Sequence, residues 1–119
     1  MSLFSWLTGS APNSDPTQIK AVELLQQIRG GQKPYIVDVR ESRELAGPLG
    51  ALPGVKNIPL SEFGQRFGEV PKDRPVILVC QSGHRSGMAL RVLQSKGYTQ
   101  IHNVAGGMLA VRRTQEENG

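Results

Sequence analysis

The chain has 119 residues, 38% of them hydrophobic and 20% charged, with a formal net charge of +4. This length fits one domain, and this composition excludes an intrinsically disordered chain. Basic residues are scattered singly except for Arg112–Arg113. That scatter excludes a nucleic-acid-binding patch but favours small anions and acidic protein surfaces as partners. No apolar stretch approaches the roughly 20 residues that a membrane span needs.

Cysteine and histidine usage narrows the chemistry further. The chain has one cysteine, Cys80, and two histidines, His84 and His102. A lone cysteine cannot form an intramolecular disulfide, so we expect a reducing compartment, the cytoplasm. These three residues do not have the spacing of a zinc site, and we expect neither a metal nor another cofactor.

Residues 1–16 are expected to form an N-terminal tail, because Pro12 and Pro16 break regular structure. The segment has no Lys or Arg, and its apolar stretch is too short for a signal peptide. Its apolar residues leave contact with a membrane surface or a partner open as an alternative: Leu3, Phe4, Trp6 and Leu7. We place one folded domain at 17–112 and a polar C-terminal tail at 113–119.

The folded part of the chain begins with a predicted helix and two predicted strands. Ile19–Ile28 has the apolar spacing of a helix that ends at Gly30–Gly31, and 35–39 is a short run rich in β-branched residues. After a loop rich in Gly and Pro, 55–58 predicts the second strand. Ser61 is then expected to cap a short helix.

The strongest predicted strand is Val76–Val79, whose lack of polar alternation indicates cover on both faces. A helix that closes at Gly97 follows, then a strand at 101–104 and a last helix from Gly106–Gly107. The first of these helices presents the apolar residues Met88, Ala89, Val92 and Leu93. This alternation predicts an α/β fold with an open, mostly parallel sheet and right-handed crossovers.

Cys80 comes directly after the 76–79 strand, at the carboxyl end where open parallel sheets bind ligands. The loop after it enters a helix N-terminus, whose unpaired N–H groups attract anions. Gly83 permits a positive φ, so several N–H groups can face one centre, and His84 and Arg85 add positive character. Sites of this kind lower a cysteine pKa from about 8.5 to about 3.5–7.5. We therefore expect Cys80 to be a thiolate nucleophile.

The alternative for Cys80 is a small buried hydrophobic residue, as free cysteines often are. A core cysteine does not need the polar loop that follows, so the reactive role is the stronger hypothesis. We assign substrate contact to that loop and to one upstream arginine: Gln81, Ser82, Gly83, His84, Arg85, Ser86 and Arg40.

Charged residues near the end of the 35–39 strand have two interpretations. Asp38 is expected to support the site by binding loop N–H groups or by orienting Arg40. A catalytic role is less expected, because attack by a thiolate needs no proton transfer to a carboxylate. Arg40 or Arg43 could reach an anionic donor. The equally weighted alternative for these arginines is a surface ion pair with Glu41 or Glu44, which contributes little to stability.

Four segments resemble the motifs of a rhodanese domain. They are Asp38–Glu41, Gly50–Pro59, Val79–Ser86 and Ala105–Met108, and the likeness covers about residues 17–111. The resemblance implies a rhodanese-type α/β fold, an open and mostly parallel sheet of about five strands flanked by helices. It also implies an enzyme of the thiosulfate sulfurtransferase type. Sulfane sulfur would move from a small anionic donor such as thiosulfate, through a Cys80 persulfide, to a thiol, cyanide or a sulfur-acceptor protein.

Three features depart from the family's pattern. Ala51 stands where the family's Gly-His-Ile-Pro-Gly-Ala motif has His, and Val111 stands where a Trp often follows; both look like packing changes. Gln81 and Ser82 are neutral where rhodaneses that prefer thiosulfate have basic residues. Thiosulfate preference is therefore in question unless the basic residues further along the loop compensate.

Two other functions stay open. A cysteine phosphatase or an arsenate reductase uses a similar cysteine–loop–arginine arrangement, typically with one residue more than the four between Cys80 and Arg85. The shorter loop suits a single sulfur better than a tetrahedral oxyanion. The third hypothesis is a non-catalytic interaction module, although inactive relatives of this fold usually lack the cysteine that this chain keeps.

Overall fold

The computed structural model describes residues 15–118, which form one parallel sheet with helices on both faces. The strands are β1 (Gln18–Ile19), β2 (Tyr35–Asp38), β3 (Lys56–Asn57), β4 (Val76–Val79) and β5 (Ile101–Val104). The helices are α1 (Ala21–Arg29), α2 (Ser42–Leu45), α3 (Leu60–Arg66), α4 (His84–Ser95) and α5 (Gly107–Asn118), with a 3-10 turn at Phe67–Glu69. None of the helices in this part of the chain has the length and apolar character to cross a bilayer. Of the tail predicted at 1–16, residues 1–14 lie outside the part of the chain that the structure describes.

The sheet has the order β1-β5-β4-β2-β3, and each neighbouring pair is parallel. This confirms the predicted α/β fold with an open parallel sheet. Strand β4 lies at the centre, and all four of its residues are buried, as the absence of polar alternation in Val76–Val79 indicated. Asp38 at the end of β2 is in register with Val79 at the end of β4. The residues that follow these two strands therefore emerge side by side.

Hydrophobic residues form one cluster on each face of the sheet. Alternate side chains of β4 point to opposite faces, so Val76 and Leu78 belong to one cluster and Ile77 and Val79 to the other. The first cluster includes Phe63, Ala89 and Leu93 from α3 and α4, and the second includes Leu24, Met108 and Val111 from α1 and α5. Because both faces of β4 are covered, its carboxyl end is a rigid place from which to start a functional loop.

Two predicted helix starts are wrong. Ile19 lies in β1, paired with Val104, and the helix begins only after Lys20. A strand of two residues is too short to leave a periodic pattern in the sequence. Ser61 lies inside α3, and Pro59 occupies the N-cap position, because the fixed φ of proline is compatible with entry into a helix.

The structure adds detail to the last two helices. Of the apolar residues predicted along α4, Ala89 and Leu93 are buried and Met88 is 44% exposed. The predicted polar tail at 113–119 is helical as far as Asn118, because the polar residues of this segment continue the solvated face of α5. Gly97, with φ of 86°, follows α4 at the predicted end.

The N-terminus of α5 holds the main chain just after β4. Met108 N–H donates to the carbonyl of Cys80 at 2.8 Å, and Leu109 N–H donates to the carbonyl of Gln81 at 3.0 Å. Gly107 makes this approach feasible: it has φ of 60°, and a Cβ there would lie 2.4 Å from the Gln81 oxygen and 2.5 Å from the Cys80 oxygen. The packing of α5 on the loop therefore requires glycine at this position.

Gly107→Ala is expected to lower the free energy of unfolding by at least about 2 kcal/mol, because it adds steric overlap to a positive φ. Gly64→Ala is the matched control. Gly64 lies inside α3, and a Cβ at this position would have no heavy atom within 4 Å, so alanine there should add up to about 1 kcal/mol. Urea unfolding measures both variants. Wild-type stability in Gly107→Ala would contradict the close contact between α5 and the loop.

Candidate active site

Three hydrogen-bond donors converge on the sulfur of Cys80, the residue directly after β4. Sγ accepts from Gly83 N–H at 3.1 Å, from Ser86 N–H at 3.3 Å and from Ser86 Oγ at 3.3 Å. Gly83 occupies the N-cap of α4 with φ of 104°, and this left-handed turn lets the N–H groups on both sides of it face one point. Cys80 is 1% exposed. The sulfur thus lies in a polar recess at the N-terminus of α4.

The hydrogen bonds outweigh burial in setting the pKa of Cys80. Burial is the largest single influence and raises the pKa of the thiol. Opposing it are the Ser86 hydroxyl and the N–H groups of Ser86, Gly83 and Ser82, which together bring the pKa below its ordinary value. The ionised sulfur is the nucleophilic form, so this geometry equips Cys80 to attack an electrophile.

Asn103 supports the recess from β5 and was not among the predicted site residues. It is 4% exposed, and its Nδ2 donates to the Gly83 carbonyl at 3.1 Å, while its Oδ1 accepts a short hydrogen bond from Ser86 Oγ. The opposite amide orientation would set Oδ1 against the Gly83 carbonyl, so the contacts define which atom is which. The one sequence signal was a polar residue inside an otherwise buried strand.

Ser86 has one hydroxyl hydrogen and two acceptors for it, Cys80 Sγ and Asn103 Oδ1. When Cys80 is a thiol, S–H can donate to Ser86 Oγ while the hydroxyl donates to Asn103. When Cys80 is ionised, the charged sulfur is the stronger acceptor and attracts the hydroxyl hydrogen. The same side chains therefore satisfy both protonation states of Cys80.

Arg40 lies in a buried ion pair with Asp38. The two residues are 1% and 0% exposed, with Nη2–Oδ2 at 2.7 Å and Nε–Oδ1 at 3.0 Å. Arg40 Nη2 also donates to the Gly50 carbonyl at 2.7 Å. The surface pair of Arg40 with Glu41 or Glu44 is therefore not observed. Asp38 orients Arg40, and contact between Arg40 and a donor stays a prediction that would require this pair to open.

Arg85 is held by Glu44, a residue of α2. The pair is bidentate, with Nη1–Oε2 at 2.8 Å and Nη2–Oε1 at 3.0 Å, and both side chains are about 30% exposed. Hydrogen bonding from Arg85 is the main cause that lowers the pKa of Glu44 to about 2. Sequence reasoning named Glu44 only as a partner of Arg40 or Arg43. No local pattern could pair it with a residue 41 positions further along the chain.

The remaining predicted site residues lie around the recess. Gln81, Ser82 and His84 are exposed and form the rim of the loop between β4 and α4. Within residues 15–118, no group of three or more His, Cys, Asp or Glu side chains is arranged to hold a metal ion. A cavity of about 520 Å³ lies at the amino ends of the strands, near Lys33 and Arg74. Cys80 follows the carboxyl end of β4, so this cavity lies at the other end of the strands and does not contact the thiol.

Comparisons with known proteins agree with this fold. A family model for the rhodanese-like domain matches residues 20–114. The chain is 33% identical over 96 residues to a sulfurtransferase of Allochromatium vinosum, covering 81% of this chain and 88% of that protein. It is 43% identical over 83 residues to the Bacillus subtilis protein YqhL, covering 69% of this chain and 64% of that one. A rhodanese-related protein from Thermoplasma volcanium superimposes with a TM-score of 0.72 at 29% identity, covering 82% of this chain and 91% of that one.

Ser86→Ala is expected to raise the pKa of Cys80, because the thiolate loses one donor. If that hydrogen bond contributes about 1 kcal/mol, alkylation of Cys80 by iodoacetamide at a pH below the wild-type pKa should slow about fivefold. The pH profile of the rate should also move to higher pH. Ser82→Ala is the control, since its exposed hydroxyl is not among the groups that contact Sγ. A wild-type profile in Ser86→Ala would contradict the assigned role of the hydroxyl.

The stability of the protein should depend on pH through the same group. The pKa of Cys80 is lower in the folded protein than in the unfolded chain, so ionisation stabilises the native state. This contribution is complete above the unfolded pKa and is lost as pH falls through the folded pKa. Urea unfolding at a series of pH values should show this rise in wild type and lose it in Cys80→Ser. An equal rise in both proteins would contradict the assignment.

Proposed function

The chain belongs to the rhodanese-like domain family, and on this premise we propose that it is a sulfurtransferase with Cys80 as its nucleophile. The convergence of three donors on Cys80 Sγ is the observation that supports this most strongly. Such donors favour the thiolate before the reaction and favour an anionic outer sulfur after it. We further propose 17–112 as the functional unit.

The first step is attack of the Cys80 thiolate on the outer sulfur of a sulfane donor. A new S–S bond forms on Cys80 while the S–S bond of the donor breaks, and the donor's bonding pair leaves with the departing group. With thiosulfate, a thiolate and a dianion give a persulfide anion and sulfite. With an organic persulfide, the leaving group is a thiolate. No proton has to move, so the step needs no carboxylate acid or base.

The second step returns the sulfur to an outside acceptor. Cyanide or a thiolate attacks the outer sulfur of the persulfide, the S–S bond on Cys80 breaks, and the Cys80 thiolate is regenerated with thiocyanate or a new persulfide as product. The sequence has one cysteine, so no second thiol of this chain can accept the sulfur. The acceptor is therefore a small thiol, cyanide or a sulfur-acceptor protein, for which the net charge of +4 favours an acidic surface.

The loop residues take supporting roles in this proposal. Gly83 and Ser86 bind the sulfur, and the exposed Gln81, Ser82 and His84 contact the donor at the rim. A phosphatase is disfavoured because the arginine that would bind its oxyanion, Arg85, already has both terminal nitrogens on Glu44. A non-catalytic module is disfavoured because such a module has no need for donors aimed at a thiol.

Incubation with thiosulfate or an alkyl persulfide is expected to add about 32 Da, one sulfur atom, to the intact protein. Cyanide should then remove that mass, and Cys80→Ser should never acquire it. Ser95→Ala is the matched control and should load sulfur as wild type does, since Ser95 lies in the last turn of α4, at the far end of that helix from Cys80. Intact-mass spectrometry measures each protein.

Two results would contradict the proposal. One is the lack of any adduct with both donors, and the other is an adduct that persists in Cys80→Ser. Turnover of an aryl phosphate that is lost in Cys80→Ser would favour the phosphatase instead.

A further inference from the structure

Two ion pairs flank the Cys80 recess, and in each of them the arginine is bound by a carboxylate of the same chain. Asp38 and Arg40 pair in the core at 2.7 Å. Glu44 and Arg85 pair nearer the surface at 2.8 Å. In each pair a carboxylate occupies the guanidinium that would otherwise attract an anion to the sulfur.

Arg85 is the more exposed cation of these two pairs, and its charge interacts with that of the sulfur. It lies in the first turn of α4, and its pKa is raised mainly by its hydrogen bonds to Glu44 and in part by the charge of the Cys80 thiolate. An anionic donor that approaches Cys80 would therefore also feel the charge of Arg85. Glu44 binds both terminal nitrogens of this guanidinium and offsets that charge.

Glu44 is itself fixed in place from its own helix. Its Oε2 accepts from the N–H of Glu41 at 2.8 Å in addition to Arg85. The bidentate pair uses both carboxylate oxygens, and a paired carboxylate with a pKa of about 2 stays ionised throughout the physiological range. The pair between Glu44 and Arg85 therefore persists across the physiological pH range.

The charges around the recess follow from these contacts. The charges of the two guanidinium groups and the two carboxylates cancel. With the thiolate included, the recess therefore has a net charge of −1. The exposed Gln81 and Ser82 add no charge. Arg112, one of the two arginines of α5, donates to the main-chain carbonyl of Leu49 at 2.7 Å. A dianion therefore meets more repulsion from the thiolate than a donor with less negative charge does, and the N–H dipoles of the loop oppose that repulsion.

We propose that Glu44 determines the donor class of this site: by occupying Arg85 it disfavours dianionic donors such as thiosulfate and favours persulfides of the form R–S–S⁻. This inference rests on the sulfurtransferase function proposed above. In the step concerned, the Cys80 thiolate attacks the outer sulfur of R–S–S⁻, the S–S bond of the donor breaks, and R–S⁻ leaves. Charge and electrons balance, and no further oxidant or reductant is needed.

Glu44→Gln tests the proposal because it removes the charge while keeping a side-chain oxygen for Glu41 N–H and Arg85. Two donors are compared: thiosulfate, and cysteamine persulfide, whose ammonium balances its persulfide charge. We expect kcat/KM for thiosulfate to rise about tenfold, mainly through a lower KM. For cysteamine persulfide it should stay within about twofold. The gain for thiosulfate should shrink at high salt.

Glu69→Gln is the matched control. Glu69 also pairs with an arginine, Arg66, and its loss changes the net charge equally. It lies near Tyr35, at the amino end of β2 and away from Cys80. This variant should leave both donors unchanged. In the double variant Glu44→Gln/Arg85→Gln the gain for thiosulfate should disappear, because the released cation is gone.

The possible results separate the inference from the function on which it rests. Equal changes for both donors in Glu44→Gln, or no change for either, would overturn the inference while leaving sulfur transfer intact. A gain that persists in the double variant would also overturn it. Failure of wild type to load sulfur from either donor would refute the proposed function itself. If Glu44→Gln unfolds, Glu44→Asp is the second variant, because its shorter side chain weakens the bidentate contact. It should shift the ratio of kcat/KM for thiosulfate to kcat/KM for cysteamine persulfide in the same direction.

Discussion

A single constraint organises this structure: main-chain N–H groups at the start of α4 must meet one sulfur atom at the end of β4. A main-chain N–H group moves only with the backbone that carries it. The loop between β4 and α4 must therefore adopt one particular conformation to direct these groups at the sulfur. Gly83 makes that shape accessible through its positive φ. The buried central strand fixes one end of the loop, and α4 fixes the other. The recess at Cys80 is thus a product of the backbone more than of side chains.

The rest of the fold braces that loop from two sides. The N-terminus of α5 donates to the carbonyls of Cys80 and Gln81, so main-chain groups that face away from the sulfur are also bound. Asn103 binds the Gly83 carbonyl and the Ser86 hydroxyl from β5. Groups held this way reorganise little when charge develops on the sulfur, which is the property that makes preorganised donors effective.

Charge around the recess is balanced by the two ion pairs. A buried ion pair such as Asp38–Arg40 costs desolvation energy, and its contacts to neighbouring main chain make it tolerable. The pair between Glu44 and Arg85 is nearer the surface, and in the inference drawn above it sets how much positive charge a donor meets. The backbone therefore stabilises the anionic sulfur, while the ion pairs keep the surroundings close to neutral. Nucleophile activation and donor attraction are separate properties in this arrangement.

The sequence was sufficient for the features that depend on local pattern. The strands 76–79 and 101–104 match to the residue. Val76–Val79 is a continuous apolar run, and 101–104 lies between the glycines that mark the neighbouring turns. The loop that we propose to be reactive was singled out because Cys80 follows a buried strand and Gly83 precedes a helix.

Features that depend on distant contacts were missed or misassigned. Strand β1 has two residues and exists only because β5 pairs with it. Asn103 and Glu44 reach the site across 17 and 41 positions of sequence, to Ser86 and Arg85 respectively. The neutral Gln81 and Ser82 did raise the question of thiosulfate preference. The answer that we propose depends on what Arg85 contacts, which no local pattern contains.

The most direct test of the central claim is the pH dependence of the Gly83 and Ser86 amide proton shifts, measured by NMR in wild type and Cys80→Ser. If these N–H groups hold the ionised sulfur, both shifts should inflect together at a pH below about 8.5, where free cysteine ionises. The inflection should vanish in Cys80→Ser. Amide shifts that do not titrate, or that inflect at or above the pH of free cysteine, would contradict the account.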